Sequence, residues 1–302
     1  MKMLTASKVH DIEACELTLE DIEDILTSDQ RGVCRAILSP EAAKLLLKRH
    51  NFKNRGIKKH QKAFLQRQIE AGKFVYNGET IIVGDNGQLL NGQHRLAACV
   101  ATGKAIEVLM VFGVPAAAFV TVDQGARRGG GDVLAIEGHK NCNNLAATLR
   151  QVDNYFKGAL GKAHANGPAG AEGRGDNSFT LELLARYPEV EQSVSKMKGV
   201  RISAPAVACA LHYLFRQRSP EQADEFCDVV LNGFFPDTSY SDIGRAGGVL
   251  REWLTRAALG SKKTPPWVQA NIWIKAWNAG RTGMMPKVLS WKDGIDKPLL
   301  IQ

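Results

Sequence analysis

The chain has no Cys-x-x-Cys pair. Cys15, Cys34, Cys99, Cys142, Cys209 and Cys227 are scattered along 302 residues with no histidine at ligand spacing. That pattern argues against a zinc ribbon and a disulfide framework, and the cysteines read as free thiols of a reducing cytosol. No run of about 18 apolar residues occurs, so no membrane-spanning helix is expected. The opening MKMLTASKVHDIEACELTLEDIEDIL carries acids and no long apolar stretch, unlike a secretory leader, and the expected compartment is the cytoplasm. Aromatic residues are few, at 7%, and neither a solenoid repeat nor a heptad run is present. His60, His139, His164 and His212 stand apart from any metal-ligand spacing, and no metal-binding residue is assigned.

What remains is an ordinary globular composition, 44% hydrophobic and 23% charged, with length for about two domains. Lysine and arginine number 39 against 31 aspartate and glutamate, a formal charge of +8. Such an excess favours polyanionic partners such as nucleic acid, although solvated basic faces give the same count.

Local signals divide the chain. Thr18 and Ser39-Pro40 open two helices with capping oxygens, and a third helix spans KKHQKAFLQRQIEAG at 58–72, stopped by Gly72. The period then shortens. GETIIVGDNGQLLN predicts two strands around an Asp85-Asn86-Gly87 turn, residues 93–102 regain helical spacing up to Gly103, and AIEVLMVFGV and AFVTVD read as β, separated by Pro115. Residues 158–177 are rich in glycine and alanine without periodicity, and beyond them the pattern is helical, with Trp273 and Trp277 on one core-facing side. The expected class is α+β followed by an all-α part. Its divisions are a helical extension at 1–39, a mixed strand-and-helix domain at 40–157, a flexible linker at 158–177 and a helical domain at 178–302.

The stretch GQLLNGQHRLAACVATG places Gly92 at a strand-to-helix junction, with Gln93, His94 and Arg95 in the first helical turn. Glycine lets another group approach, the first-turn amides and the macrodipole attract an anion, and the arginine fork can grip a phosphate. A bare turn with solvated side chains accounts for the same residues. Two other segments bear on the choice. VDQGARRGGGD leads from Asp123 and Gln124 into Arg127 and Arg128 among glycines, as an anion-wrapping loop or a solvated one. Asn77-Gly78-Glu79 sets a carboxylate at a strand start, as a base, a metal-orienting group or an edge charge.

On these residues, roughly 58–136, the chain resembles the ParB/sulfiredoxin superfamily in its DGQHR-motif variant, and the ParB-like proteins of phages and prophages in particular. The resemblance implies a small mixed sheet with helices, in which Gly92, Gln93, His94 and Arg95 hold nucleotide phosphates. It further implies ATP or CTP as ligand, and Glu79 resembles the catalytic carboxylate of the superfamily's kinases. Sulfiredoxins carry a cysteine where this chain has Gln93, so sulfinic-acid repair is not expected. The helix-turn-helix reader of partitioning clamps is not identifiable, and Asn91 replaces the acid often found before the glycine.

The expected function is thus nucleotide binding with DNA as a partner, possession of magnesium at the phosphates, and NTPase or phosphotransferase chemistry involving Glu79, His94 and Arg95. Asp123, Gln124, Arg127 and Arg128 complete the cofactor site. Arg251, Arg256, Lys275 and Arg281, beside tryptophans, form a candidate nucleic-acid face. A homo-oligomer is compatible with this reading. The alternatives are a non-catalytic DNA-binding module and a metal-dependent nuclease, the latter without an evident carboxylate cluster.

Overall fold

Ile106, Val108, Met110 and Phe112 are buried in alternation along one strand, the signature of a sheet with one face turned to a core. The computed structural model describes residues 14–17, 19–27, 31–122, 129–162, 177–234, 239–284, 288–292 and 299–302. It divides into two units, Met1–Ala126 and Arg127–Gln302.

The first unit runs β1 (Cys15–Glu16), α1 (Leu19–Thr27), β2 (Gly32–Leu38), α2 (Pro40–Arg49), α3 (Lys59–Glu70), β3 (Thr80–Gly84), β4 (Leu89–Asn91), α4 (Gln93–Thr102) and β5 (Ile106–Val114). The strands form a mixed sheet in the order β1-β2-β5-β3-β4. β5 is central, antiparallel to β2 along its length and parallel to β3. Helices α2, α3 and α4 cover one face through Ala42, Ala43, Leu46, Ile69, Leu96, Ala98 and Cys99. Ser39 caps α2 as expected, its Oγ accepting from the Ala42 amide at 3.2 Å.

Three expectations change here. The 1–39 extension is not purely helical, because GVCRAIL forms β2, a short apolar run that carries no turn signal of the hairpin kind yet finds the open side of β5. AFVTVD is not a strand: Ala116–Thr121 is a 3-10 helix whose first amide is held by Asp85 Oδ1 at 3.0 Å. With β2 and β3 on its two sides, β5 leaves no adjacent edge for a further strand. The third change is the boundary. α5 (Gly130–Ile136) and α6 (Cys142–Phe156), assigned from the sequence to the domain at 40–157, contribute Leu134, Leu145, Leu149 and Val152 to the core of the helical unit.

That unit continues with α7 (Asn177–Arg186), α8 (Val190–Lys196), α9 (Pro205–Arg216), α10 (Pro220–Asn232), α11 (Asp242–Leu259) and α12 (Pro266–Thr282). Of the expected linker, residues 163–176 lie outside the described residues, while Ala159 is buried and the Gly161 amide donates to Gln151 Oε1 at 2.8 Å. The core is aromatic. Trp277 stacks on Phe215 with ring centroids 4.3 Å apart, and Phe226 meets Trp277 and Trp273 edge-on. Gly280 permits the crossing of α12 on α11, since a Cβ there would lie 2.8 Å from Ala246 and Ile243. Both tryptophans are fully buried, with indole N–H groups donating to Ser203 Oγ and the Gln302 carbonyl.

Trp277→Ala is expected to destabilise the helical unit by about 3–5 kcal/mol, as a fully buried aromatic leaves a cavity. Urea unfolding followed by far-UV circular dichroism measures it.

Candidate functional site

The entry into α4 is set by one backbone conformation. Gly92 sits at φ 101, in the left-handed region, and a Cβ there would lie 2.8 Å from Ile81 Cγ1. The chain thus turns from β4 into the helix while pressed against β3. Gly92 offers no side-chain cap, so the amino end of a ten-residue helix carries its dipole without a side-chain acceptor from the N-cap. Gly103, at φ 65, closes the other end as expected.

The side chains of the first turn do different things. Arg95 is not the outward fork expected from the sequence: its side chain is 10% exposed, NH1 donates to Glu79 Oε2 at 2.6 Å, and NH2 donates to the Thr80 carbonyl at 2.6 Å. The reason is position. Arg95 lies on the helix side facing the sheet, where a guanidinium must find acceptors or stay in water. It thereby ties α4 to the start of β3. Glu79, by contrast, is 67% exposed, and its amide donates to Asn77 Oδ1 at 3.1 Å, an Asx turn that fixes where the carboxylate stands. The sequence placed Glu79 and Arg95 in one site, and the fold brings them into contact.

His94 Nε2 accepts the Lys58 amide at 3.0 Å, which requires the tautomer protonated on Nδ1 and draws the start of α3 to the first turn of α4. Lys58 was not singled out in the sequence; only its place at the head of a basic helix signalled it. Gln93 is buried, with 8% exposure, and its Oε1 has no hydrogen-bond partner. Buried acceptors are almost always satisfied, and this oxygen is an exception in the first turn of α4.

Asp123, Gln124, Arg127 and Arg128 lie outside the described residues. The cations expected to form a nucleic-acid face on the helical unit have partners within that unit. Arg251 is drawn inward, NH1 donating to the carbonyls of Val230 and Leu231 at the end of α10, where orphan carbonyls and the helix dipole attract a cation. Arg256 pairs with Glu252 at 2.9 Å, Lys275 donates to the Ser290 carbonyl at 3.0 Å, and Arg281 stands 5.8 Å over the Trp277 ring. Trp273 and Trp277 lie in the core and give no stacking surface beside Lys275 and Arg281, while Trp253, between Arg251 and Arg256, is half-buried.

Elsewhere, burial raises the Cys99 thiol to about 11, with Glu41 adding to the effect, and its Sγ contacts the Leu38 and Lys104 carbonyls. It is a packing residue rather than a nucleophile. Among the described residues no three His, Cys, Asp or Glu side chains come together as metal ligands, so the nuclease reading has no cluster to rest on there. A Ser193–His212–Asp224 row has the residue types of a hydrolytic triad, with contacts of 2.9 Å on both imidazole nitrogens. Ser193 and His212 are 1% exposed, however, and Asp224 is further held by Arg216 at 2.7 Å. The row is a buried brace between α8, α9 and α10. No family model, curated protein or solved structure matches the chain.

Two outcomes follow from this geometry. Arg95→Ala removes charge-assisted bonds from both Glu79 and Thr80, and is expected to lower stability by about 2–3 kcal/mol in chemical denaturation. His212 has its pKa lowered from 6.5, first by burial and also by the charges of Arg216 and Lys196, against the opposing pull of Asp224. The unfolded chain then takes a proton that the folded chain resists, so stability is intact above 6.5 and declines as pH falls below it. Urea midpoints between about pH 7.5 and about pH 5.5 should show the decline, and His212→Gln should flatten it.

Proposed function

We propose that the protein is a ParB-like, cytoplasmic nucleotide-binding protein that works with DNA, and that the amino end of α4 receives the phosphates of ATP or CTP. The observation that carries this reading is the orphan Gln93 Oε1 in the first turn of a helix entered through a left-handed glycine with no side-chain cap. Backbone amides and the helix dipole favour a phosphate at such an end, and a nucleotide brings hydroxyl and amine donors that suit a buried carbonyl oxygen. The His94 contact brings the Lys58 backbone to this turn, and in the proposal the Lys58 ammonium is assigned to the phosphates.

Phosphoryl transfer depends on positioning and on neutralising charge. In this site the amides of α4 and Lys58 stabilise the phosphate oxygens, and Glu79, steadied by Arg95, accepts the proton of a water or hydroxyl whose oxygen bonds to the terminal phosphorus as the bond to the bridging oxygen breaks and the nucleoside diphosphate leaves. Arg95 acts through Glu79, as a positioning residue. Magnesium is commonly held by one or two carboxylates together with substrate phosphates, and Glu79 is the exposed carboxylate at hand; when bound, the ion supplies further charge neutralisation. The ion pair between Glu79 and Arg95 also supports a second reading, binding without turnover, because the carboxylate is already engaged.

Calorimetric titration with ATP and with CTP, each at millimolar concentration with magnesium, is expected to give saturable heat for one of them. Gln93→Glu, which puts a negative charge at the helix start, should weaken it at least tenfold. No heat from either nucleotide, or an unchanged affinity in Gln93→Glu, overturns the proposal. Release of inorganic phosphate that is lost in Glu79→Gln with binding retained selects catalysis over binding alone.

A further inference from the structure

From Ala42 to Ile69 the chain holds nine lysines and arginines and not one aspartate or glutamate. An unbroken stretch of this length in a protein with 31 acids is a strong local excess, and the fold concentrates it further. Arg49 pairs with Glu23 on α1, which removes it from the account. Lys53, Arg55, Lys58, Lys59 and Lys62 have no acidic partner among the described residues, and all but Lys62 are exposed.

The segment that carries them is pinned. His50 Nδ1 contacts the Gly87 carbonyl at 2.8 Å, the His50 carbonyl accepts the Leu89 amide at 2.7 Å, Asn54 Nδ2 donates to the Leu89 carbonyl at 2.7 Å, and the Lys58 amide reaches His94. These bonds hold residues 50–58 against the β3–β4 hairpin and the first turn of α4. Lys53 itself sits at φ 54, a left-handed conformation that glycine or asparagine adopts more readily than lysine. With its backbone pinned, the segment loses little main-chain freedom on meeting a polyanion.

We infer that Lys53, Arg55, Lys59 and Lys62, along the exposed side of the 51–58 loop and the start of α3, form a track for the phosphodiester backbone of nucleic acid. The inference rests on the reading that the protein works with DNA, and it moves the contact from the helical unit to the sheet unit. A lipid surface is the lesser candidate, because α3 turns Leu65 and Ile69 into the core and keeps Phe64 as its one large apolar side chain outside it. The exposed apolar groups of the loop are Phe52 and Ile57, at 42% and 37%. Phe52, beside Lys53, suits a base ring, so a single strand and a duplex are both to be tried.

The experiment is fluorescence anisotropy of a labelled 30-mer, single-stranded and duplex in separate arms, against the full chain. Each phosphate contact steepens the salt dependence by about 0.9 in log–log slope, so four contacts correspond to a fall of roughly a hundredfold or more between 50 and 200 mM salt. The Lys53→Gln, Arg55→Gln, Lys59→Gln, Lys62→Gln variant, altered in exposed or half-exposed side chains and checked by thermal melting, is expected to bind at least thirtyfold more weakly at low salt with a flatter slope. Its heat with ATP or CTP should equal that of the parent chain. Replacing Arg251, Arg256, Lys275 and Arg281 by glutamine should leave DNA affinity in place. The track is overturned if the parent chain binds neither DNA form at low salt, if the fourfold variant binds as the parent does, or if phosphatidylserine vesicles bind more tightly than DNA. Absence of nucleotide heat with DNA binding intact sinks the nucleotide site alone, which keeps the two failures distinct.

Discussion

One guanidinium determines where the amino end of α4 stands. Arg95 holds the exposed carboxylate of Glu79 with one nitrogen and the Thr80 carbonyl with another, and Thr80 is the first residue of a strand paired to the central β5. The tie works only because Gly92 presses against Ile81 with no Cβ between them. Close approach and ion pair therefore act together, and the helix has little freedom to slide or rotate on the sheet. The orientation of Gln93, the meeting of His94 with Lys58 and the place of the basic loop all depend on it.

The cost of this arrangement falls on the role expected for Arg95. An arginine that fastens a helix to a sheet is poorly placed to grip a ligand as well, since drawing it out would leave a buried carbonyl without its donor. Anion recognition in the proposal consequently shifts to the backbone amides of the first turn and to Lys58, whose backbone amide meets His94. A positioning arginine with an exposed carboxylate is a different chemical unit from a phosphate fork. It presents a proton acceptor of fixed location and keeps the cation out of reach of solvent.

The two units treat their basic residues in contrasting ways. In the helical unit Arg251 closes the end of a helix, Arg256 and Lys275 meet acceptors on their own unit, and an arginine lies over the ring of Trp277. These side chains have structural partners because the unit is built from helices whose ends and faces present carbonyls and carboxylates to them. In the sheet unit, by contrast, the basic run from Ala42 to Ile69 has no acids of its own. Its loop is held by backbone and amide contacts from His50, Asn54 and Lys58 that leave the cationic side chains out of the bonding. Net charge by itself is silent on this difference; the distribution of partners carries it.

Much of the fold is written locally, and those parts are readable from residue order. The Asp85-Asn86-Gly87 turn makes its hairpin, Gly92 and Gly103 bracket α4, Ser39-Pro40 opens α2, and Trp273 and Trp277 share a buried side, because each depends on residues a few positions apart. The strand at Gly32–Leu38, the 3-10 turn after Pro115 and the membership of α5 and α6 in the helical core depend on which surfaces were already taken by distant segments. For the candidate site the division is the same. Residue order placed Glu79, Gln93, His94 and Arg95 within reach of one another and pointed to an anion at the helix start. Tertiary structure alone decided that Arg95 faces inward, that Gln93 keeps an unmatched oxygen, and that Lys58 arrives from α3, since burial and the supply of acceptors are properties of the packed chain and not of any stretch of it.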